Sequence, residues 1–149
     1  GIKGGYYSVS SDKKGMKLYA YCIMTSHMHL VYKSTIQKPE DLLLDFKTFT
    51  SKEMVKLIEN NIQESRREWL INAFAKAGKK NSNNTNNQFW QQHNQPIVLD
   101  NNAIIDQKVN YIHNNPVEAG FVAKLEDWLY SSAIDFTLKG KGLLELAIF

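Results

Sequence analysis

The sequence has little cysteine and no long apolar stretch, and each shortage excludes a class of protein. Cys22 is the only cysteine among the 149 residues, which excludes an internal disulfide and a cysteine-based zinc cluster. It lies in an apolar run, so we expect it to be a small buried hydrophobic residue. No run of about eighteen apolar residues occurs, so no membrane span is predicted. Residues 1–15 hold no apolar segment of the kind that signal peptides contain. These features favour a reducing, cytoplasmic compartment.

A strong excess of one charge is missing as well. The net charge of +3 permits a nucleic-acid partner without indicating one, because many proteins that bind no nucleic acid carry as much. Hydrophobic residues make up 43% of the chain and charged residues 22%, which is typical of a globular protein. The length predicts a single domain, residues 1–149, with a core of its own.

Two short apolar segments, residues 19–24 and 28–32, meet at a Thr-Ser break. Their content of Tyr, Ile and Val favours strands over helices. At the second strand, His27 and His29 are two positions apart, so both imidazoles leave the same face, and Met28 is expected to point the opposite way, towards the core. Two imidazoles on one strand suit a divalent metal, although such pairs are more often half-exposed or hydrogen-bonded histidines.

Helical periodicity appears after Pro39, a residue that suits a first helical turn. Residues 40–59 carry an apolar stripe at helical spacing. Its members are Leu42, Leu43, Phe46, Phe49 and Leu57. Lys52 and Lys56 lie one turn apart on a more polar face, which is either simply solvated or in contact with phosphate.

A second helix is predicted to start at Ser65, because Ser65 and Glu68 form a capping-box pattern. An apolar stripe at helical spacing follows, and Gly78 is expected to end the helix. Residues 79–88 form a polar tract rich in asparagine, which predicts a mobile loop. Its two lysines suit a loop facing nucleic acid, whereas a tolerated linker is the commoner explanation of such a tract.

Two adjacent aromatic residues, Phe89 and Trp90, follow this tract. Their rings could stack on unpaired bases, but core packing is the default, and we expect at least one of them to be buried. Residues 96–99 predict a short strand. His93 has no evident partner and is left without a role.

A late helix is predicted to begin at Asn101 or Asn102, with Ile105, Val109 and Ile112 on its buried stripe. The adjacent stripe consists of Ile104, Lys108, Tyr111 and Asn115. Tyr111 thus lies beside the apolar face, where its hydroxyl could reach a cleft. Pro116 predicts an end or a kink of the helix, and Gly120 a further stop.

Two histidines on a strand and a polar group on a helix could hold one divalent cation beside a tyrosine. Such a cation can stabilise charge on phosphodiester oxygens, and a tyrosine can act as a nucleophile. A free phenol is mostly protonated at neutral pH, so a metal or a cation such as Lys108 would have to favour the phenolate. The alternative is that Tyr111 packs its ring and hydrogen-bonds its hydroxyl.

Two segments resemble the single-tyrosine HUH transposases, also described as transposase IS200-like, and most closely the REP-associated tyrosine transposase branch. They are Met24-Thr-Ser-His-Met-His-Leu-Val and Tyr111-Ile-His-Asn-Asn-Pro-Val-Glu-Ala-Gly-Phe-Val122. Phe89-Trp90-Gln91 and the stretch from Asp127 to Phe136 look like further landmarks. The similarity runs from about Lys17 to about Phe136 in the order and spacing of that branch.

The resemblance implies an α+β fold, a ferredoxin-like sandwich with an antiparallel sheet and helices on one face. It implies metal-dependent cleavage and rejoining of single-stranded DNA at sites flanked by hairpins. By the family pattern His27 and His29 are metal ligands, Tyr111 forms a 5′-phosphotyrosine link and leaves a free 3′-hydroxyl, and Asn115 is a candidate third ligand. Mg²⁺ or Mn²⁺ is the expected cofactor, and two imidazoles lean the chemistry towards Mn²⁺.

The partner implied by the resemblance is single-stranded or hairpin DNA, held partly through its phosphates. The candidate DNA-binding residues are Lys52, Lys56, Arg66, Arg67, Lys79, Lys80, Trp90 and Lys108.

The start of the chain departs from the family pattern, which opens with a strand and a long helix before the strand near Tyr19. Residues 1–14 cannot supply both, so the N-terminal strand and helix are expected to be incomplete. Three interpretations stay open: a fragment, a decayed copy, or a homodimer that completes its sheet with another subunit. Thr25-Ser26 also stands where the family commonly has Pro-Asn, which alters a turn and not a ligand.

Three functions are compatible with these residues. The first is the transposase, and the second is a DNA-hairpin-binding protein of the same lineage that no longer cuts. The third is an unrelated metallohydrolase that uses His27 and His29. That enzyme would need a further carboxylate or histidine at ligand spacing, and the neighbourhood offers none, because His113 is expected on a different helical face from Tyr111.

Overall fold

The structure is a computed structural model that describes residues 14–80, 87–92 and 94–148. The regular elements are strands β1 (Met16–Ile23) and β2 (Met28–Ser34), helices α1 (Pro39–Asn60), α2 (Arg67–Lys79) and α3 (Asn102–Glu118), and 3₁₀ helices at Leu125–Asp127 and Ala133–Phe136. Strands and helices together confirm the α+β prediction, while the ferredoxin-like arrangement stays a prediction. The described residues fall into two compact units, one formed by those of 14–39 and 97–148 and the other by those of 40–96.

The two strands form an antiparallel hairpin, which confirms the predicted strand segments. In its register Cys22 stands opposite His29. The Met24 amide donates a 2.8 Å hydrogen bond to the His27 carbonyl, and this bond closes the four-residue connection between the strands. The turn therefore fixes His27 directly before β2.

An extra residue on β1 shifts the register of the hairpin. Leu18 pairs with Tyr32, and Ala20 pairs with Val31, so the register shifts between Leu18 and Ala20. Because of this bulge, Leu18 and Ala20 point to opposite faces of the hairpin, although they are two positions apart. Ala20 therefore shares a face with Val31.

The second edge of β1 is occupied by the C-terminal segment. The Ile23 amide donates to the Tyr130 carbonyl at 2.8 Å. The Ser132 amide donates to the Tyr21 carbonyl at 3.0 Å. Because an open edge would leave unpaired backbone groups, this segment satisfies β1 as a further strand would. This C-terminal segment, here called the tail, therefore completes the hydrogen bonding of the hairpin.

Helix α3 contributes to the apolar core on one face of the hairpin. The fully or nearly buried members of this core are Ala20, Cys22, Met24, Val31, Val109 and Ile112. Cys22 is buried as predicted, and burial raises the pKa of its thiol to about 11. His29 lies on the same face, since it stands opposite Cys22. Met28, predicted to point towards the core, lies on the other face and outside this cluster, so that prediction is wrong.

Helix α3 begins as predicted, but it extends beyond the end predicted at Pro116. The Asn101 side chain caps it by accepting a 2.9 Å hydrogen bond from the Ile104 amide. The helix then continues through Pro116 to Glu118, so the expected end before Pro116 is wrong. The Pro116 ring is fully buried, and this burial offsets the backbone hydrogen bond that a proline cannot donate.

Gly120 terminates α3, as predicted. Its φ of +79° lies in the left-handed region, which favours glycine. The Gly120 amide donates to the Val117 carbonyl at 3.0 Å, and the Phe121 amide donates to the Pro116 carbonyl at 2.9 Å. This pair of bonds is a Schellman motif, which satisfies carbonyl groups at the helix end.

A buried polar network joins α3 to β1 through the tail. His113 Nε2 lies 2.8 Å from Ser132 Oγ, and that oxygen accepts a 2.9 Å hydrogen bond from the Tyr21 amide. His113 is 3% exposed and Ser132 is fully buried. Burial lowers the pKa of His113 to about 4, against a smaller opposing effect of Asp135.

In the second unit, α1 begins at Pro39 as predicted. Its buried side chains are Leu42, Thr50 and Val55. Phe49 and Leu57 are 43% and 51% exposed, so the predicted apolar stripe is wrong at these two positions. A polar position is packed instead, because the Thr50 hydroxyl accepts a 2.8 Å hydrogen bond from the Trp90 indole.

Helix α2 differs from its prediction at both ends. It begins at Arg67 with no side-chain cap, so the capping box at Ser65 is wrong. Glu64 is the local hydrogen-bond acceptor instead. Its carboxylate accepts hydrogen bonds from the Arg66 amide at 3.0 Å and from Arg66 Nε at 3.1 Å. Gly78 is buried inside the last turn, so it does not end the helix.

Phe89 and Trp90 belong to an aromatic cluster of the second unit. The Phe89 ring lies 5.4 Å from that of Phe74, and the Trp90 ring lies 6.5 Å from that of Phe46. Both residues are half-buried, so neither reaches the full burial expected of at least one. Residues 96–99 form no strand, which makes that prediction wrong.

Some predictions fall outside the described residues. They concern the incomplete strand and helix within residues 1–13, most of the polar tract (residues 81–86), and His93. Among the helices of the described residues, none combines the length and the apolar character needed to cross a membrane.

Replacing Gly120 tests the helix end. Gly120→Ala should lower the free energy of unfolding by about 1 kcal/mol, because an L side chain is strained at this φ. Gly120→Asn should lower it less, since asparagine tolerates the left-handed region. Urea denaturation of the three proteins provides the comparison, and equal stability of Gly120→Ala and wild type would contradict the assignment.

Acid should destabilise the fold through His113. Its folded pKa of about 4 lies below the ordinary value of about 6.5, so the unfolded state binds the proton first. The stabilising contribution of the neutral His113 is complete above pH 6.5 and is lost as the pH falls towards 4. At pH 4.5 the loss of unfolding free energy should be about 2 kcal/mol. Urea denaturation at several pH values measures it. His113→Gln cannot take up this proton and should be less sensitive to pH in that interval; an unchanged slope would contradict the prediction.

Candidate functional site

The two predicted histidines lie together at the turn of the hairpin. Their ring centroids are 5.0 Å apart with an interplanar angle of 86°. His27 is exposed, and its Nδ1 lies 3.2 Å from the Ser26 hydroxyl. A hydroxyl at this position can orient the ring and leave Nε2 directed to a ligand. The sequence indicates Ser26 only as part of a turn, and its position next to a histidine is the signal that could identify this role.

His29 has a buried nitrogen without a partner. Its Nε2 is inaccessible to solvent and makes no hydrogen bond with any described residue. An unsatisfied polar atom of this kind costs free energy unless another group binds it. Burial, and secondarily the charge of His27, lower the pKa of His29. The lowered pKa favours the neutral imidazole, which is the form that binds metal.

Tyr111 on α3 reaches the same place. Its ring centroid lies 6.0 Å from that of His29, with an interplanar angle of 77°. The side chain is 54% exposed, and none of the described residues hydrogen-bonds its hydroxyl. The alternative expectation, a packed ring with a hydrogen-bonded hydroxyl, does not describe this geometry.

Lys108 and Asn115 lie one turn before and one turn after Tyr111 on α3. Lys108 Nζ is 5.7 Å from the centroid of the Tyr111 ring, which places a cation against the phenol. Asn115 Nδ2 donates a 3.2 Å hydrogen bond to the Tyr111 carbonyl. Since the amide nitrogen is used in this bond, the amide oxygen of Asn115 is the atom that remains for a ligand.

A metal at this place would depend on few protein ligands. Within the described ranges, no group of three or more His, Cys, Asp or Glu side chains could hold a metal ion. The donors available are the His27 and His29 imidazoles and the Asn115 amide oxygen, a set that suits Mn²⁺ or Mg²⁺ with further oxygens from substrate. The buried Nε2 of His29 without a partner fits such a ligand.

The other candidate DNA-binding residues belong to the second unit. Lys56 forms a 3.0 Å ion pair with Glu53, and Arg66 forms one of 3.1 Å with Glu64. Trp90 donates its indole N–H to Thr50 and is half-buried. The remaining basic side chains there are exposed or half-exposed: Lys52, Arg67, Lys79 and Lys80.

No protein-family model, no curated protein and no solved structure matches the chain. The family resemblance therefore rests on the residues of the strand and helix segments, and the functional interpretation rests on the geometry around His29 and Tyr111.

Proposed function

We propose that the protein is a metal-dependent transposase or endonuclease of the single-tyrosine HUH type, which nicks and rejoins single-stranded DNA near hairpins. The observation that carries the proposal is the position of Tyr111 beside His29. A half-exposed phenol without a hydrogen-bond partner among the described residues lies 6.0 Å, ring to ring, from an imidazole whose buried Nε2 also has none.

In the proposed reaction Tyr111 Oη attacks the phosphorus of one DNA phosphodiester. The new Tyr–O–P bond replaces the P–O3′ bond, so the 5′ end stays on the protein and the leaving 3′ oxygen takes up a proton. The phenol loses its proton as the new bond forms, and the nearby ammonium of Lys108 stabilises negative charge on the attacking phenolic oxygen. Attack by a 3′-hydroxyl on the phosphotyrosine reverses the bonding and rejoins the strand.

His27, His29 and Asn115 are the residues that would hold Mg²⁺ or Mn²⁺. When bound, such an ion supplies charge stabilisation to the phosphodiester oxygens. Ser26 orients the His27 ring, and the hydrogen bond from Asn115 to the Tyr111 carbonyl couples the candidate third ligand to the helical turn of the nucleophile.

The proposed partner is single-stranded or hairpin DNA in the cytoplasm. Lys108 at the site and the basic residues of the second unit are the candidate phosphate contacts. We also propose that a second subunit of a homodimer supplies further strand pairing to the sheet.

Tyr111→Phe tests the covalent step. Wild-type protein incubated with a labelled hairpin oligonucleotide and Mn²⁺ should give a protein–DNA adduct on a denaturing gel. Tyr111→Phe should give none, because it keeps the ring and lacks the attacking oxygen. Tyr130→Phe is the matched control, since Tyr130 is a similarly exposed tyrosine of the same unit, and it should keep the adduct.

Two other outcomes of this experiment decide between the alternatives. DNA binding without an adduct in the wild type would favour the hairpin-binding protein that no longer cuts. An adduct that persists in Tyr111→Phe would contradict the assignment of the nucleophile.

Metal binding can be measured without DNA. Mn²⁺ at about 100 times its dissociation constant should stabilise the wild type by about 2.7 kcal/mol. This should appear as a raised unfolding midpoint that chelation reverses. His27→Ala and His29→Ala should each lose most of the effect, while Ser26→Ala should bind Mn²⁺ about tenfold more weakly. Lys56→Ala alters an exposed side chain of the second unit and should keep the wild-type affinity. Unchanged Mn²⁺ affinity in His27→Ala would refute the metal site.

A further inference from the structure

An apolar pocket opens in the first unit beside the end of β1. Its volume is about 230 Å³, and its walls are Ile23, Met24, Thr25, Trp128 and Tyr130. None of these side chains is charged. The Trp128 and Tyr130 rings stand edge to face with centroids 5.7 Å apart. Two aromatic walls without a charge suit a flat, apolar ligand surface.

Hydrogen bonds to β1 fix the aromatic walls. The Trp128 indole donates to the Ile23 carbonyl at 3.0 Å, and the Tyr130 carbonyl accepts from the Ile23 amide at 2.8 Å. Phe121 stacks on Trp128, with centroids 5.3 Å apart and an interplanar angle of 27°. The pocket is therefore formed before a ligand arrives, which reduces the ordering cost of binding.

The pocket shares a turn with the histidines. Met24 and Thr25 line it, and the Met24 amide bonds the His27 carbonyl at 2.8 Å. The connection that begins at the pocket wall thus ends at His27. A strand of DNA whose phosphate lies at the histidines brings its neighbouring nucleotides to this turn.

We propose that this pocket binds one unpaired base of the DNA strand that is cleaved, by stacking on Trp128 and Tyr130. The inference rests on the proposed function. A phosphate is excluded as the occupant because the walls supply no cation, whereas every base has a face that stacks on an aromatic ring. Since few polar groups face the pocket, it contributes affinity and position with little sequence preference.

A pair of probes separates base contacts from phosphate contacts. The first is a short oligothymidylate, and the second is an abasic deoxyribose-phosphate chain with the same number of phosphates. Tyr130→Ala should weaken binding of the oligothymidylate about tenfold, in line with the loss of one stacked base. It should leave binding of the abasic chain unchanged. Tyr130→Phe keeps the ring and should bind both probes as the wild type does.

Control variants define the specificity of this effect. Leu129→Ala removes an exposed side chain next to Tyr130 that does not line the pocket, and it should change neither affinity. Lys108→Ala removes a charge near Tyr111 and should weaken both probes alike. Thr25→Trp fills the pocket from an exposed position and should reproduce the Tyr130→Ala result, which guards against a folding defect in one variant.

The possible failures are distinguishable. If Tyr130→Ala and Thr25→Trp bind the oligothymidylate as tightly as the wild type, while the wild type still forms the Tyr111 adduct, the base pocket is refuted and the proposed function stands. Equal weakening of both probes by Tyr130→Ala also refutes it. If the wild type binds neither probe and forms no adduct, the proposed function fails, and this inference fails with it.

Discussion

The first unit depends on the hydrogen bonding of β1 along both of its edges. β2 occupies one edge, and the segment around Tyr130 and Ser132 occupies the other. Because the strand is held on both sides, three separate parts of the molecule share one rigid reference: the histidine turn, the helix with Tyr111, and the aromatic pocket. Each part comes from a different region of the chain, and none would keep its distance to the others if the tail left the strand edge.

The buried His113 sets the rotation of α3. It is bonded to Ser132, which in turn bonds the backbone of Tyr21, so this point of the helix is tied to β1. Two helical positions separate His113 from Tyr111, and that spacing places their side chains on nearly opposite sides of the helix. The same rotation that buries the imidazole therefore presents the phenol towards His29. The helical repeat therefore accounts both for the burial of His113 on one side of α3 and for the exposure of Tyr111 on the other.

Local periodicity was sufficient to predict the strands and the beginning of α3. The shared neighbourhood of His29 and Tyr111 was implied by the family resemblance, because periodicity fixes the face of each element and not which elements pack together. It failed where a distant contact decides the outcome. Pro116 remains helical because its ring is buried and because the amides of Phe121 and Gly120 bond the Pro116 and Val117 carbonyls. Phe49 is exposed because the packed position of its helix is Thr50, whose bond to Trp90 spans forty residues. The aromatic pocket depends on pairing between β1 and a segment more than a hundred residues later, and no local pattern contains that pairing.

The bulge at Tyr19 has a consequence for how the chain tolerates change. Since Leu18 pairs with Tyr32 and Ala20 with Val31, the extra residue decides that Ala20 and Cys22, and not Tyr21, share the face of His29 that α3 packs. Removing one residue here would exchange the two faces of the strand beyond it and set a tyrosine ring against the helix. Insertions and deletions between positions 18 and 22 should thus be far more damaging than substitutions at position 19.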